Sequence, residues 1–204
     1  MLATRSAGKL RELRPIFESH GVHVIDLAEA GVPVSAEEET IEAYDTFEEN
    51  ALAKARYFHR RCGGRSVVAD DSGLVVDSLG GEPGVRSKRW SGRTDLAGVA
   101  LDRANNEQLL GRLRGEADRR ARFVCAAAWC GRGDELVTRG EVAGRILDSA
   151  SGAHGFGYDP HFFADELGMT LADATTEQKR RVSHRGRAFD ALVRRIRELG
   201  AGNG

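Results

Sequence analysis

Leu10, Leu13, Ile16 and Phe17 recur at helical spacing, and the apolar stretch at residues 2–4 just before them reads as a strand end. The chain therefore opens as strand, turn, helix. Residues 22–26 alternate apolar and polar side chains, as a half-buried strand does, whereas residues 36–44 are acidic, poorly periodic and predict an exposed connection. A helix is predicted over residues 47–61, opened by Thr46, closed by Gly63-Gly64 and carrying Phe47, Ala51, Ala55 and Phe58 on one stripe. Residues 66–69 read as a buried strand. Beyond the glycine-containing stretch 80–92, Asp95 is placed to cap a helix running to residue 113, with Leu96, Val99, Leu109 and Leu110 among its apolar positions. Strand-forming residues at 122–130 and 135–146 flank a Gly131-Arg132-Gly133-Asp134 turn, a hairpin pattern. A second glycine-rich loop covers residues 151–160. The C-terminus holds a short helix at 177–182 and a longer one at 185–199, with Ser183 as a cap between them. Long strands and helices without regular alternation predict an α/β or α+β architecture around a long, partly mixed sheet.

Composition narrows the class of protein. The 204 residues suit one compact unit, and no apolar run reaches bilayer length, so a cytoplasmic enzyme with no membrane partner is the expectation. Cys62, Cys125 and Cys130 are odd in number and lack CxxC spacing, which points away from a disulfide framework or a zinc site. A formal net charge of -1 gives no general attraction for nucleic acid, so an anionic ligand is expected to be small. Of 30 basic residues, four are lysines: Lys9, Lys54, Lys88 and Lys179. In a chain that otherwise uses arginine, these are candidates for a required ammonium, a compact charge suited to phosphate oxygens.

Four segments carry candidate chemistry. Thr4-Arg5-Ser6-Ala7-Gly8-Lys9 joins a strand to a helix N-terminus, where outward N–H groups, the helix dipole and Lys9 suit a phosphate, although an ordinary capped helix reads the same way. Glu49 and the run Asp70-Asp71-Ser72-Gly73 offer hard oxygen ligands to a divalent cation, with one carboxylate left to orient a water. The aspartates also suit a turn, and Thr46-Phe47-Glu48-Glu49 fits a capping box. Lys54, five residues beyond Glu49, projects at a different angle, toward solvent. His154-Gly155-Phe156-Gly157-Tyr158-Asp159-Pro160 alternates glycine and aromatic residues, allowing a flat ligand to reach backbone and ring, or simply forming a packed turn. Finally, Lys179 and the Ser183-His184-Arg185 junction offer donors to carbonyl oxygens on a base edge, or to a helix cap.

In order along the chain, Leu2-Ala3-Thr4 with Lys9, Phe47 with Glu49-Asn50-Ala51 and Lys54-Ala55, Ala69-Asp70-Asp71-Ser72-Gly73-Leu74, Pro83-Gly84-Val85, Phe156-Gly157-Tyr158-Asp159-Pro160 and Ser183-His184-Arg185-Gly186 resemble the inosine triphosphate pyrophosphatase family, also called Ham1-like. The resemblance spans nearly the whole chain, taken as one domain over residues 1–204. It implies an elongated mixed α/β fold with a long central sheet and a cleft between two lobes, usually a homodimer. It also implies hydrolysis of inosine- or xanthosine-type triphosphates to the monophosphate and pyrophosphate with Mg2+. The same resemblance gives triphosphate contacts to Thr4, Arg5, Ser6, Ala7, Gly8 and Lys9, metal to Glu49 and Asp71 supported by Asp70, and proton acceptance to Asp71. Ser72, Lys54 and Lys179 match substrate contacts, Phe156, Gly157, Tyr158 and Asp159 the base-stacking loop, and His184 and Arg185 the readers of the base edge. Ser6 stands where the family usually has asparagine. Rival readings are a Maf-like nucleotide pyrophosphatase and a non-catalytic nucleotide binder.

Overall fold

A computed structural model describes residues 1–131 and 133–202 of the chain. Its elements are helices α1 (Ala7–Ser19), α2 (Phe47–Arg61), α3 (Gly98–Arg112), α4 (Thr176–Val182) and α5 (His184–Gly202), and strands β1 (Val67–Val76), β2 (Arg120–Gly131), β3 (Asp134–Ile146), β4 (Phe162–Ala164) and β5 (Met169–Thr170). The strands form one sheet in the order β1-β2-β3-β4-β5. Strand β4 lies antiparallel to both β3 and β5, with Gly144 opposite Ala164 and Phe163 opposite Thr170. Gly144 is required there, because a Cβ would fall 2.1 Å from the Phe163 carbonyl oxygen.

The chain divides into two compact units: Met1–Asp71, Cys125–Gly140 and His184–Gly204 form one, Ser72–Val124 and Glu141–Ser183 the other. In the first, α1 packs on α5, and the stripe of Leu13, Ile16 and Phe17 is buried with Phe189, Leu192 and Val193. Leu2 forms parallel bridges to Asp26 and Val68, donating to the Ile25 carbonyl while Ala3 donates to that of Val68. The two strands expected at residues 2–4 and 22–26 are thus reduced to single bridges. Strand β3 runs close to the start of α5, since a Cβ on Gly140 would lie 2.3 Å from the His184 carbonyl oxygen. The second unit buries Leu74, Leu109, Leu113, Phe123, Val142, Ile146, Tyr158, Phe162 and Leu171.

Helix α2 keeps its predicted bounds and its Thr46 cap, with Phe47, Ala51, Ala55 and Phe58 buried. The hairpin of β2 and β3 also stands as predicted, apart from Arg132, which lies outside the described residues. Other expectations need correction. Residues 36–44 are not simply an open loop: a short 3-10 turn, Ala36–Thr40, is held by a capping box of Ser35 and Glu38. Asp95 does not cap α3, being paired instead with Arg93, and the cap position is Ala97 with no side-chain bond. Val99 is 86% exposed rather than part of an apolar face. Among the described residues no helix is long and apolar enough to cross a membrane.

Candidate active site

The strand predicted to stop at residue 69 instead continues to Val76, so Asp70 and Asp71 lie inside β1 between the apolar runs Val67-Val68-Ala69 and Leu74-Val75-Val76. They are not turn residues. Consecutive strand residues face opposite sides of a sheet, so two adjacent carboxylates enter two different environments.

Asp70 is fully buried and accepts an ion pair from Lys9 at 2.8 Å, with Arg185 Nε at 3.6 Å. The start of α1 explains how Lys9 arrives: Ser6 is the N-cap, its hydroxyl accepts the Lys9 N–H at 3.3 Å, and the side chain is free to reach β1. Burial opposes charge on Asp70, but the cations of Lys9, Lys54 and Arg185 prevail and hold the carboxyl well below the usual range. Arg185 is itself buried and bound to Glu12 at 2.7 Å; despite burial, Glu12 and Asp70 keep its guanidinium charged.

Asp71 behaves oppositely. Burial, then the charge of Glu42, push its carboxyl up to about 6 against the pull of Lys54 and Lys9. Asn50 Nδ2 donates to Asp71 at 3.1 Å and also to the Tyr44 carbonyl, while Asn50 Oδ1 accepts the Tyr44 N–H. One amide thus ties α2, β1 and the end of the acidic segment together. Glu42 sits in that segment and pairs with Lys54, whose ammonium is kept charged, against its burial, by Glu42, Asp70 and Asp71. The expectation that Lys54 is solvated is therefore corrected.

Glu42 and Asn50 are the site residues that sequence reasoning missed. No periodicity marks Glu42 within its acidic run, and the scarcity of lysines pointed to phosphate as the partner of Lys54, not to a carboxylate. Glu49, the expected metal ligand, accepts a 2.7 Å hydrogen bond from the Thr46 hydroxyl at the exposed start of α2, and the carboxylate whose charge raises Asp71 most is Glu42. The Glu49 N–H donates to Thr46 Oγ1 at 3.2 Å, so its backbone and side chain both meet the cap hydroxyl. The Arg5 guanidinium holds Glu38 and the carbonyls of Val32 and Pro33. Thr4 Oγ1 accepts the Ser6 N–H, and Ala7 and Gly8 open the first turn of α1.

In the second unit, the 151–160 loop is built around Asp159. Its Oδ2 accepts the Phe156 N–H at 2.9 Å and the Lys179 ammonium at 2.7 Å, and that ammonium lies 5.2 Å from the centre of the Phe156 ring. Gly155 must be glycine, since a Cβ would meet Asp159 Oδ2 at 2.1 Å. The Phe156 ring is half-buried. Tyr158 differs from the expectation of a stacking ring: it is buried, its hydroxyl donates to the Ser87 carbonyl at 2.8 Å, and burial, then Asp102, keep that hydroxyl protonated. Ser72 is half-buried on β1 and His184 is buried at the start of α5.

Among the described residues, no three His, Cys, Asp or Glu side chains assemble into a complete ligand set. Magnesium does not require one, because it commonly takes one or two carboxylates, with waters and substrate phosphates supplying the rest. Glu42 and Asp71 fit this role: Asp71 carries an uncomfortable carboxylate whose rise in pKa a nearby dication would reverse.

A model described as the Ham1 family matches residues 1–195. A dITP/XTP pyrophosphatase from Burkholderia pseudomallei is 44% identical over 202 residues, covering 98% of this chain and 93% of the relative. Another from Frankia alni is 46% identical, with 98% and 97% covered. The solved Staphylococcus aureus Ham1 protein superposes with a TM-score of 0.81 at 36% identity, covering 97% of this chain and 98% of that one.

Proposed function

Because the chain belongs to the Ham1 family, we propose that it hydrolyses non-canonical purine nucleoside triphosphates of the ITP, dITP and XTP kind to the monophosphate and pyrophosphate, clearing deaminated purines from the nucleotide pool. The observation that carries the chemistry is the pair Asp70 and Asp71: neighbours in one strand, one held charged by three cations and the other pushed up to about 6. At neutral pH such a carboxyl is largely ionised and free to accept a proton, and a dication beside it would keep it so. Asp71 accepts the proton of the water that attacks the α-phosphorus. Lys9 and Lys54 bind the triphosphate, and Asp70 fixes Lys9 in place. Glu42 and Asp71 would hold a magnesium ion, which would supply charge neutralisation for the phosphates and the departing pyrophosphate.

On the second unit, Phe156 offers its ring to the purine and Lys179 stiffens the loop that carries it. His184 and Arg185 are the proposed readers of the 6-oxo edge, Arg185 being fixed by Glu12. A 6-amino purine would turn a donor toward those donors where a 6-oxo purine offers an acceptor, which disfavours adenosine triphosphate. The resemblance also carries a homodimer, which light scattering checks.

The test compares two glutamates. Glu42→Gln is expected to cut kcat/KM for inosine triphosphate by at least about a hundredfold and to raise the magnesium needed for half-maximal rate. Glu49→Gln should stay within about fivefold, since it perturbs a cap contributing about 1 kcal/mol to helix stability. The reverse order would return the metal to Glu49. Pyrophosphate release over many turnovers separates the enzyme from a non-catalytic binder.

A further inference from the structure

We infer that Asp102 and Asn106 of α3 are positioning residues for the aromatic loop, fixing both polar groups of Gly157 and so the Phe156 ring beside it; the inference rests on the reading that this ring meets the purine. Asp102 Oδ2 accepts the Gly157 N–H at 2.9 Å, and Asn106 Nδ2 donates to the Gly157 carbonyl at 2.9 Å. The two residues are four apart, hence one turn apart on the same helix face. The second Asn106 N–H donates to the Asp102 carbonyl at 2.9 Å, which fixes the amide's orientation.

The geometry of Gly157 explains why a clamp is needed. Its φ is +64°, in the left-handed region, and glycine is the residue with the most backbone freedom to lose. Left unpinned, it would act as a hinge directly after Phe156. With the clamp in place, every backbone polar group of Phe156 and Gly157 has a partner: Asp159 Oδ2 for the Phe156 N–H, the Asp159 N–H for the Phe156 carbonyl at 3.3 Å, and the two α3 side chains for Gly157. The helix is itself anchored. Buried Asn105 accepts the Ser91 N–H at 2.8 Å and donates to the Lys88 carbonyl at 3.1 Å, while Leu109 is fully buried. A ring held this way is presented to a base without first being ordered, and preorganisation of this kind shows in substrate binding rather than in the bond-breaking step.

The test uses the full-length protein, inosine and adenosine triphosphates as substrates, and inorganic tripolyphosphate, which has no base, as a competitive inhibitor. Asp102→Ala and Asn106→Asp are expected to raise KM for inosine triphosphate about tenfold with kcat within about threefold, and to narrow the inosine-to-adenosine ratio of kcat/KM. The tripolyphosphate inhibition constant should not move. Asp102→Asn keeps an acceptor and should restore parental KM to within about twofold. Amide exchange at Gly157, read by NMR without substrate, should accelerate in Asp102→Ala and not in Asp102→Asn. An unchanged KM, unchanged Gly157 exchange, or a KM and tripolyphosphate constant that rise together would each overturn the inference. A parent that fails to turn over inosine triphosphate removes the functional reading instead, and with it the role of the clamp in catalysis.

Discussion

Asp71→Asn is expected to lower turnover by at least about a thousandfold while making the metal-free protein more stable at pH 7.5. Both effects follow from one feature: a carboxyl moved from 3.8 to about 6 by burial and by Glu42. At about 1.4 kcal/mol for each pH unit, the parent gives up about 3 kcal/mol near neutrality by keeping this group charged in the fold. The sign is fixed by the direction of the shift. A carboxyl whose folded pKa exceeds its unfolded one binds its proton more tightly when folded, so its penalty is full above about 6 and fades as the pH falls toward 3.8. The stability gap between Asp71→Asn and parent, measured by urea unfolding with chelator present, should therefore close between pH 7.5 and 4.5. Asparagine still offers an acceptor to Asn50, whose Nδ2 donates to Asp71 in the parent. A variant less stable than the parent at pH 7.5, or one retaining activity within a few-fold, contradicts the assignment.

The adjacent substitution should do the opposite. Asp70→Asn removes the buried partner of Lys9 and the charge facing Lys54 and Arg185, which keep Glu42 and Glu12, so the loss falls chiefly on Lys9. Breaking a buried pair on one side costs about 3–5 kcal/mol, and for a chain of this size that corresponds to a fall in Tm of about 10 °C. A carboxyl held below its unfolded pKa stabilises the fold above that value and loses its contribution as pH falls through the acid range, so the loss in Asp70→Asn should be full at neutral pH. Combining it with Lys9→Met should recover part of the loss, because the cation left behind is then gone as well. A Tm within about 2 °C of the parent would show that the cluster does not hold Asp70 as described.

These opposite expectations for neighbouring residues mark where the sequence was legible and where it was not. Helix α2 could be read to the residue, because Thr46, Gly63-Gly64 and a stripe of Phe47, Ala51, Ala55 and Phe58 are local signals with local causes. The hairpin of β2 and β3 was legible for the same reason. The extent of β1 was not: Asp70-Asp71-Ser72-Gly73 has the composition of a turn, and only pairing with β2 and burial on both sides keep it extended. Asp70 and Asp71 could be singled out by type, but their division of labour depends on which face meets Lys9 and Arg185 and which meets Asn50 and Glu42. Glu42 was illegible because its pairing with Lys54, a contact made in the fold, chose it from among several acids in its segment. Tyr158 fits the packed-turn alternative for its loop, with its hydroxyl committed to Ser87.

The most direct test of the central claim is the identity and selectivity of the products: kcat/KM for inosine, xanthosine and adenosine triphosphates in magnesium buffer, with the released phosphorus species resolved by 31P NMR. The account predicts monophosphate and pyrophosphate in equal amounts, with the two 6-oxo substrates favoured over adenosine triphosphate by at least about a hundredfold, the discrimination that a donor facing donors at a buried base edge supplies. Release of orthophosphate and diphosphate, or equal efficiencies for all three substrates, would contradict it.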